Sequence, residues 1–369
     1  MLSITEIEQI NQKLNPELAL SLSLDNAKRM ESSLLHSGFS PSTDMWKLIL
    51  FYNGSLEEIK EMISFSFIPL LGNFAILFIK EKDIPSFLTF PQVLYVELSR
   101  PIYENALTGI DASCFPDYNI VTGRNVNATT LTGKGTAIAV LDSGVDYRHP
   151  DFRNVDGSTR ILGIWDQTQM EGPPPSASFN KENTNSNSSN SDNFQYISTT
   201  NSQNNYIAAD NRTNTRRNNV SKHSSATDNP YNLGVIFSEE DLNRLLMPKS
   251  SSVPSDSSTF SVTDPVTELL SPSEDVSGHG THIAGICSGN GRASNGNSQG
   301  VAPESSLIVV KLKNETASVY TDYANLMMAV DFAVRFANSR SLPLSINISY
   351  GSNDGSHTGS SLLELFMEQ

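Results

Sequence analysis

The chain has little cysteine, no long apolar run and no surplus of positive charge. Only Cys114 and Cys287 occur in 369 residues, which excludes a disulfide framework as the source of stability. Cys287 follows an apolar run, so a buried, unreactive thiol is expected there. No segment reaches the roughly 18 apolar residues that a membrane-crossing helix needs. The N-terminal Met1-Leu-Ser-Ile-Thr-Glu-Ile lacks the basic flank and apolar stretch of an export signal. A non-secreted protein with no membrane partner is the expectation. Lys and Arg number 25 against 40 Asp and Glu, a formal charge of −15. That balance argues against a phosphate-binding surface, and so against nucleic acid as a partner.

What is present is enough for two domains, with 38% hydrophobic residues to supply their cores. Residues 1–40 read as a helical N-terminal extension, with Ile4, Ile7, Ile10 and Leu14 at helical spacing before Pro16. Residues 41–104 change pattern. Trp46–Tyr52, Phe74–Ile79 and Val93–Leu98 read as strands. Ser55–Ile63 reads as a helix with Ser55 as N-cap and Glu58 at the capping-box position, and a short helix falls near Asp83–Leu88. Strand and helix alternation over so short a span predicts a small α+β sandwich.

Residues 105–369 carry a second pattern. Lys134–Asp142 is a β-rich apolar run ending on a carboxylate, as a buried parallel strand does where an open α/β sheet places its site. Ser306–Leu312 and Leu344–Tyr350 are further strands, and Tyr323–Asn338 has helical spacing. Together they predict an α/β fold with a doubly wound parallel sheet. Residues 176–230 interrupt it with a low-complexity tract of Asn, Ser and Thr, too polar to offset its own ordering entropy. Closure entropy grows only logarithmically with loop length, so the insertion does not prevent the flanking segments from meeting.

Two motifs carry chemistry. Ala139-Val-Leu-Asp-Ser-Gly-Val-Asp146 sets Asp142 at a strand end. Ser277-Gly-His-Gly-Thr-His-Ile-Ala-Gly285 sets His279 between two glycines, 137 positions later. A buried carboxylate and a histidine are what a hydroxyl nucleophile needs, one to orient the imidazole and the other to take the proton. Ile283, Ala284 and Ile286 suggest a buried helix that fixes the ring. His279 and His282 also have the spacing of a metal pair, but no third ligand with suitable spacing follows. Asp146 and Asp151 flank His149-Pro150 and read as turn and capping residues.

These motifs resemble the aspartate and histidine segments of the subtilases, the subtilisin-like serine peptidases. Further segments resemble the subtilases of spore-forming clostridia that include the germination proteases. They are Leu131-Thr-Gly-Lys-Gly-Thr136, Asp142–Arg153, Asp156–Ile161, Ile164–Thr168, Phe237–Leu246 and Ser345–Gly351. The resemblance implies a serine endopeptidase with Asp142 and His279 as two triad members. Residues 41–104 become an inhibitory, chaperone-like propeptide, and the location cytoplasmic or spore-associated. Ser349, Tyr350 and Gly351 become the edge that binds a protein or peptide substrate by strand addition. The chain's own prodomain is then its other partner, placed with Arg100–Gly109 across the site.

The family's Gly-Thr-Ser-Met-Ala nucleophile segment is absent from these residues. Ser360 and Ser361 lack its context, and Asn347 does not match the oxyanion asparagine. The expectation is therefore a truncated, inactive peptidase domain. A non-catalytic pseudoprotease that binds or regulates a partner protease, and an unfolded gene fragment, stay open as alternatives. No cofactor is expected. Calcium at Asp151, aided by oxygens of the loop Gly289–Gln299, is the one metal the resemblance leaves open.

Overall fold

The computed structural model describes residues 12–104, 132–169, 229–247, 271–314, 320–353 and 358–369. The polar insertion up to residue 228, Cys114, and Ile4, Ile7 and Ile10 lie outside the described residues.

The N-terminal part is built on an antiparallel sheet of β1 (Phe39–Ser40), β2 (Met45–Tyr52), β3 (Phe65–Pro69), β4 (Phe74–Lys80) and β5 (Val93–Leu98). The order is β1-β2-β4-β3, and β5 also pairs with β2. Alternation along β2 and β4 sends side chains to opposite faces. Trp46, Leu48, Leu50, Leu77 and Ile79 pack with Leu14, Leu18, Ile59 and Phe87 on one face. Ile49, Phe74 and Ile76 point the other way. Each such side chain contributes about 1.5–3 kcal/mol when fully buried.

Two helices lead into this sheet. Asn15 accepts the Leu18 N–H and Pro16 opens the helix Pro16–Ser23. Asp25 caps Asn26–Met30. Arg29, wholly buried, joins both helices to the sheet through Glu81 at 2.7 and 3.0 Å and the Ser21 carbonyl.

The strand β3 was not foreseen in the sequence pattern. The helix expected over 55–63 is only Glu57–Lys60, with Leu56 at the cap position and no side-chain cap bond. Ser55 Oγ instead accepts the Glu57 N–H, so the capping box does not form.

A short strand, β6 (Pro101–Glu104), leaves this sheet. Beyond it, β7 (Ala137–Asp142), β8 (Ile161–Asp166), β9 (Val235–Ser238), β10 (Ser306–Lys311) and β12 (Leu344–Ile348) form a second sheet. Its order is β12-β7-β10-β8-β9, parallel except for β9. Helices cover both faces. Ala137, Ala139 and Leu141 face the helix Tyr323–Ser339, while Val140, Ile161 and Val309 face Leu242 and Ala284 from the helices Glu239–Leu246 and His279–Ser288. This is a doubly wound α/β arrangement behind a small α+β domain.

The run 344–350 does not form one strand. β12 stops at Ile348, and Tyr350–Gly351 is a separate strand, β13, in another sheet. There β11 (Tyr320–Asp322), β6 and β13 lie in the order β11-β6-β13, both pairings antiparallel.

The outer face of the first sheet shares one apolar core with the helix Tyr323–Ser339 and the helix Leu362–Met367, where Phe74 meets Phe366 at 5.5 Å between ring centroids. Polar groups fix the register. Lys47 Nζ meets Asp322 at 2.6 Å, and Asp331 Oδ1 accepts the Leu71 N–H at 2.6 Å. Ser99 Oγ accepts the Ala324 N–H, and Glu97 Oε2 accepts that of Leu362.

Candidate active site

β7 ends on Asp142, whose side chain is fully buried. Its Oδ1 accepts the Ser143 N–H at 2.7 Å and lies 2.7 Å from Nδ1 of His279. His279 opens its helix after Gly278, which sits in the left-handed region at φ 71°. The next residue must be glycine. A Cβ at position 280 would stand 2.0 Å from the Gly144 carbonyl oxygen and 3.1 Å from Asp142 Cβ. Only a bare backbone lets the helix start this close to the end of β7.

A second layer of bonds locks the two segments together. Ser143 Oγ accepts the Gly280 N–H at 3.0 Å and donates to Asp275 Oδ1 at 2.8 Å. Asp275 also accepts from the backbone of Gly278 and Thr281 and from Thr281 Oγ1. Sequence reasoning missed Asp275. Its only signal was its place four residues before His279.

Glu104 was also missed. It ends β6, opposite Tyr350 in the register, and Tyr103 lies opposite Gly351. Its Oε1 is 3.5 Å from His279 Nδ1. Burial raises the Glu104 carboxyl above its usual value, Asp142 and Asp275 raise it further, and His279 opposes them. Burial, then the charges of Glu104, Asp142 and Asp275, hold the Tyr350 phenol protonated.

Of the expected site residues, Asp142, His279, Tyr350 and Gly351 thus surround the end of β6. Ser349 stands outside the ladder, its Oγ donating to Asn347. Ser361 caps the helix Leu362–Met367, and Ser360 is exposed. Among the described residues no serine hydroxyl bonds to the His279 ring.

The described residues contain one cluster of metal-donor side chains, Glu104, Asp142 and His279, with donor atoms within 4.8 Å of one another. His282 is exposed and outside it. Asp151 lies outside that cluster and is tied into local structure. Its Oδ1 accepts the Ala293 N–H, and its carbonyl oxygen accepts from Asn290 N and from the Arg160 guanidinium at 2.8 Å. Cys287 is only half-buried. Burial and the Asp142 charge push its thiol up, which disfavours the reactive thiolate. Ile286 is 52% exposed, so the helix is held by Ile283 and Ala284 and not by all three apolar positions.

The sequence model of the subtilase family matches residues 133–365, and that of the Csp protease B prodomain matches residues 12–100. Among solved structures, the CspB protease of Clostridium perfringens aligns at 27% identity with a TM-score of 0.41. The alignment covers 68% of this chain and 37% of that one. Fervidolysin from Fervidobacterium pennivorans, a keratinolytic enzyme related to subtilisin, aligns at 13% identity with a TM-score of 0.39, over 85% of this chain and 36% of that one. This chain spans little more than a third of the length of either.

Proposed function

This chain belongs to the subtilase family of serine peptidases, and from that premise we propose that Asp142 and His279 are its acid and base. The observation that carries the reading is the contact of 2.7 Å between Asp142 Oδ1 and His279 Nδ1 in a buried site. The carboxylate holds the imidazole in the tautomer with hydrogen on Nδ1. Nε2 is thereby left to take the proton of a serine hydroxyl as it attacks a peptide carbonyl. Asp142 then stabilises the imidazolium until it returns the proton to the leaving amine.

The substrate is a peptide in extended form, added as a strand along Tyr350–Gly351, with Ser349 just before the ladder. The prodomain's last strand, β6, fills that position in this chain, which makes the N-terminal part an inhibitor held in cis. The first cut falls just after β6, inside 100–109.

None of the serines among these 369 residues stands in a Gly-Thr-Ser-Met-Ala context, and on that ground the reading assigns none of them as the attacking group. Loss of that group lowers kcat by about 10⁶. The second reading is a non-catalytic pseudoprotease that binds or regulates a partner protease.

Incubating purified 1–369 with a fluorogenic peptide and a serine-directed phosphonate tests the proposal. No turnover and no adduct are expected. A longer product carrying the serine segment should turn over and lose that activity in Asp142→Ala and His279→Ala. Turnover by 1–369 that His279→Ala abolishes would place the nucleophile within it. Binding without turnover in the longer product would favour the pseudoprotease.

A further inference from the structure

Three side chains from three distant segments converge at the end of β7: Glu104 from β6, Asp142 from β7 itself and His279 from the start of its helix. His279 Nδ1 lies 2.7 Å from Asp142 Oδ1 and 3.5 Å from Glu104 Oε1. A tetrahedral zinc ion holds its nitrogen and oxygen ligands roughly 3.3 Å apart, and the two distances straddle that spacing. Two facts beyond proximity call for a cation here. Asp142 Oδ1 accepts the Ser143 N–H and faces His279, yet Oδ2 is buried with no hydrogen-bond partner among the described residues. A buried carboxylate oxygen left in that state is costly. Secondly, Glu104 and Asp142 share one imidazole, and among the described residues neither has another ion-pair partner.

We propose that Glu104, Asp142 and His279 form a zinc site that is complete only while β6 lies in the groove, so that zinc latches the prodomain over the acid and base. An imidazole nitrogen with two carboxylates suits zinc, whereas sites made of oxygen alone suit calcium and magnesium. Water takes the fourth position. To bind the ion through Nδ1, the neutral imidazole carries its single hydrogen on Nε2 instead. No proton is gained or lost, but Nε2 then has no lone pair for a serine proton. The latch thus covers the groove and disables the base together. Because one ligand comes from β6, binding of zinc and seating of the strand favour each other by the same factor. Latency rests on the peptidase reading above; binding of the ion rests on the geometry alone.

Zinc chloride titrated into metal-free, intact 1–369 tests the latch by three readings. These are zinc retained in equilibrium dialysis, hydrogen exchange at the amides of Ile102, Tyr103 and Glu104, and the downfield proton NMR line of His279 Nδ1–H. Wild type should retain one zinc that Glu104→Gln does not. At free zinc about ten times the Kd, exchange should slow about tenfold and the line should vanish, both reversed by EDTA. In Glu104→Gln zinc should leave line and exchange as they were. His282→Ala, exposed on the same helix, should behave as wild type, and calcium chloride should have no effect. Equal retention by wild type and Glu104→Gln, or a wild-type line that survives zinc, overturns the latch and leaves the acid–base pair standing. Absence of the line before zinc is added counts against that pair instead, and dialysis and exchange then decide the latch.

Discussion

A methyl group at position 280 would stand 2.0 Å from the Gly144 carbonyl oxygen, closer than any real contact. Gly280→Ala must therefore push the start of the His279 helix away from the end of β7. We expect a loss of roughly 1–3 kcal/mol of stability, read by thermal melting, together with a longer Asp142–His279 contact. An unchanged melting temperature would show that the loop at Gly144 yields freely. Asp331 is a second single-residue test. Buried and bonded to Leu71 N, Tyr231 Oη and Arg335 Nε at 2.6–2.7 Å, it ties the two domains together. Asp331→Ala should cost about 3 kcal/mol, and Tyr231→Phe about 1 kcal/mol. Equal losses in the two variants would mean that the Leu71 and Arg335 bonds together contribute nothing.

Residues differ in how far the sequence reveals them. Asp142 and His279 each sit in a compact local motif, so the pair was legible before any fold was known. Glu104 and Asp275 were not. Glu104 reaches His279 only because β6 pairs with β11 and β13 in one register, and register between distant segments leaves no local pattern. Asp275 matters through a serine bond across 132 positions.

At the scale of elements, β7 and β10 bury both faces and were legible because their apolar runs are continuous, whereas β8, buried on both faces as well, was not foreseen. The errors fell where a short side-chain choice decides an end. Ser349 separates β12 from β13 and turns a single apparent strand into members of two sheets. Ser55 spends its hydroxyl on the Glu57 amide and leaves the helix after it short.

Glu97, at the end of β5, joins the prodomain to the helix Leu362–Met367. Burial raises its carboxyl above the usual 4.5; Glu17 and Glu364 add to this, while the Leu362 amide and Arg100 oppose it. A raised acid binds its proton more tightly in the folded state. The stability it lends is complete below the unfolded value and is lost as pH rises through the folded one. Docking should therefore weaken as pH climbs above about 4.5. Glu97→Gln keeps an acceptor for Leu362 and should flatten the fall of melting temperature over that window. An identical slope in wild type and Glu97→Gln would remove Glu97 as the cause.

For the whole molecule, two sheets share a core across the helix Tyr323–Ser339, so the domains should unfold together. β12 lies at the edge of the second sheet, with Leu344, Ile346 and Ile348 only partly covered. An open edge of this kind pairs with other chains. Purified 1–369 should self-associate as concentration rises, and Ser345→Lys, at an exposed position on that edge, should reduce the effect in light scattering. Equal scattering from both proteins would direct attention to another surface.

The central claim is that this chain by itself assembles the acid and base of a serine peptidase. Proton NMR of intact, histidine-labelled 1–369 examines this directly. A short Nδ1–H···Oδ1 bond shields its proton from exchange and moves it far downfield of the amides. One such line, split by the labelled nitrogen, should be present in wild type and absent in both His279→Ala and Asp142→Ala. It should shift but persist in Glu104→Gln. No downfield line in wild type, or one that survives Asp142→Ala, would contradict the account.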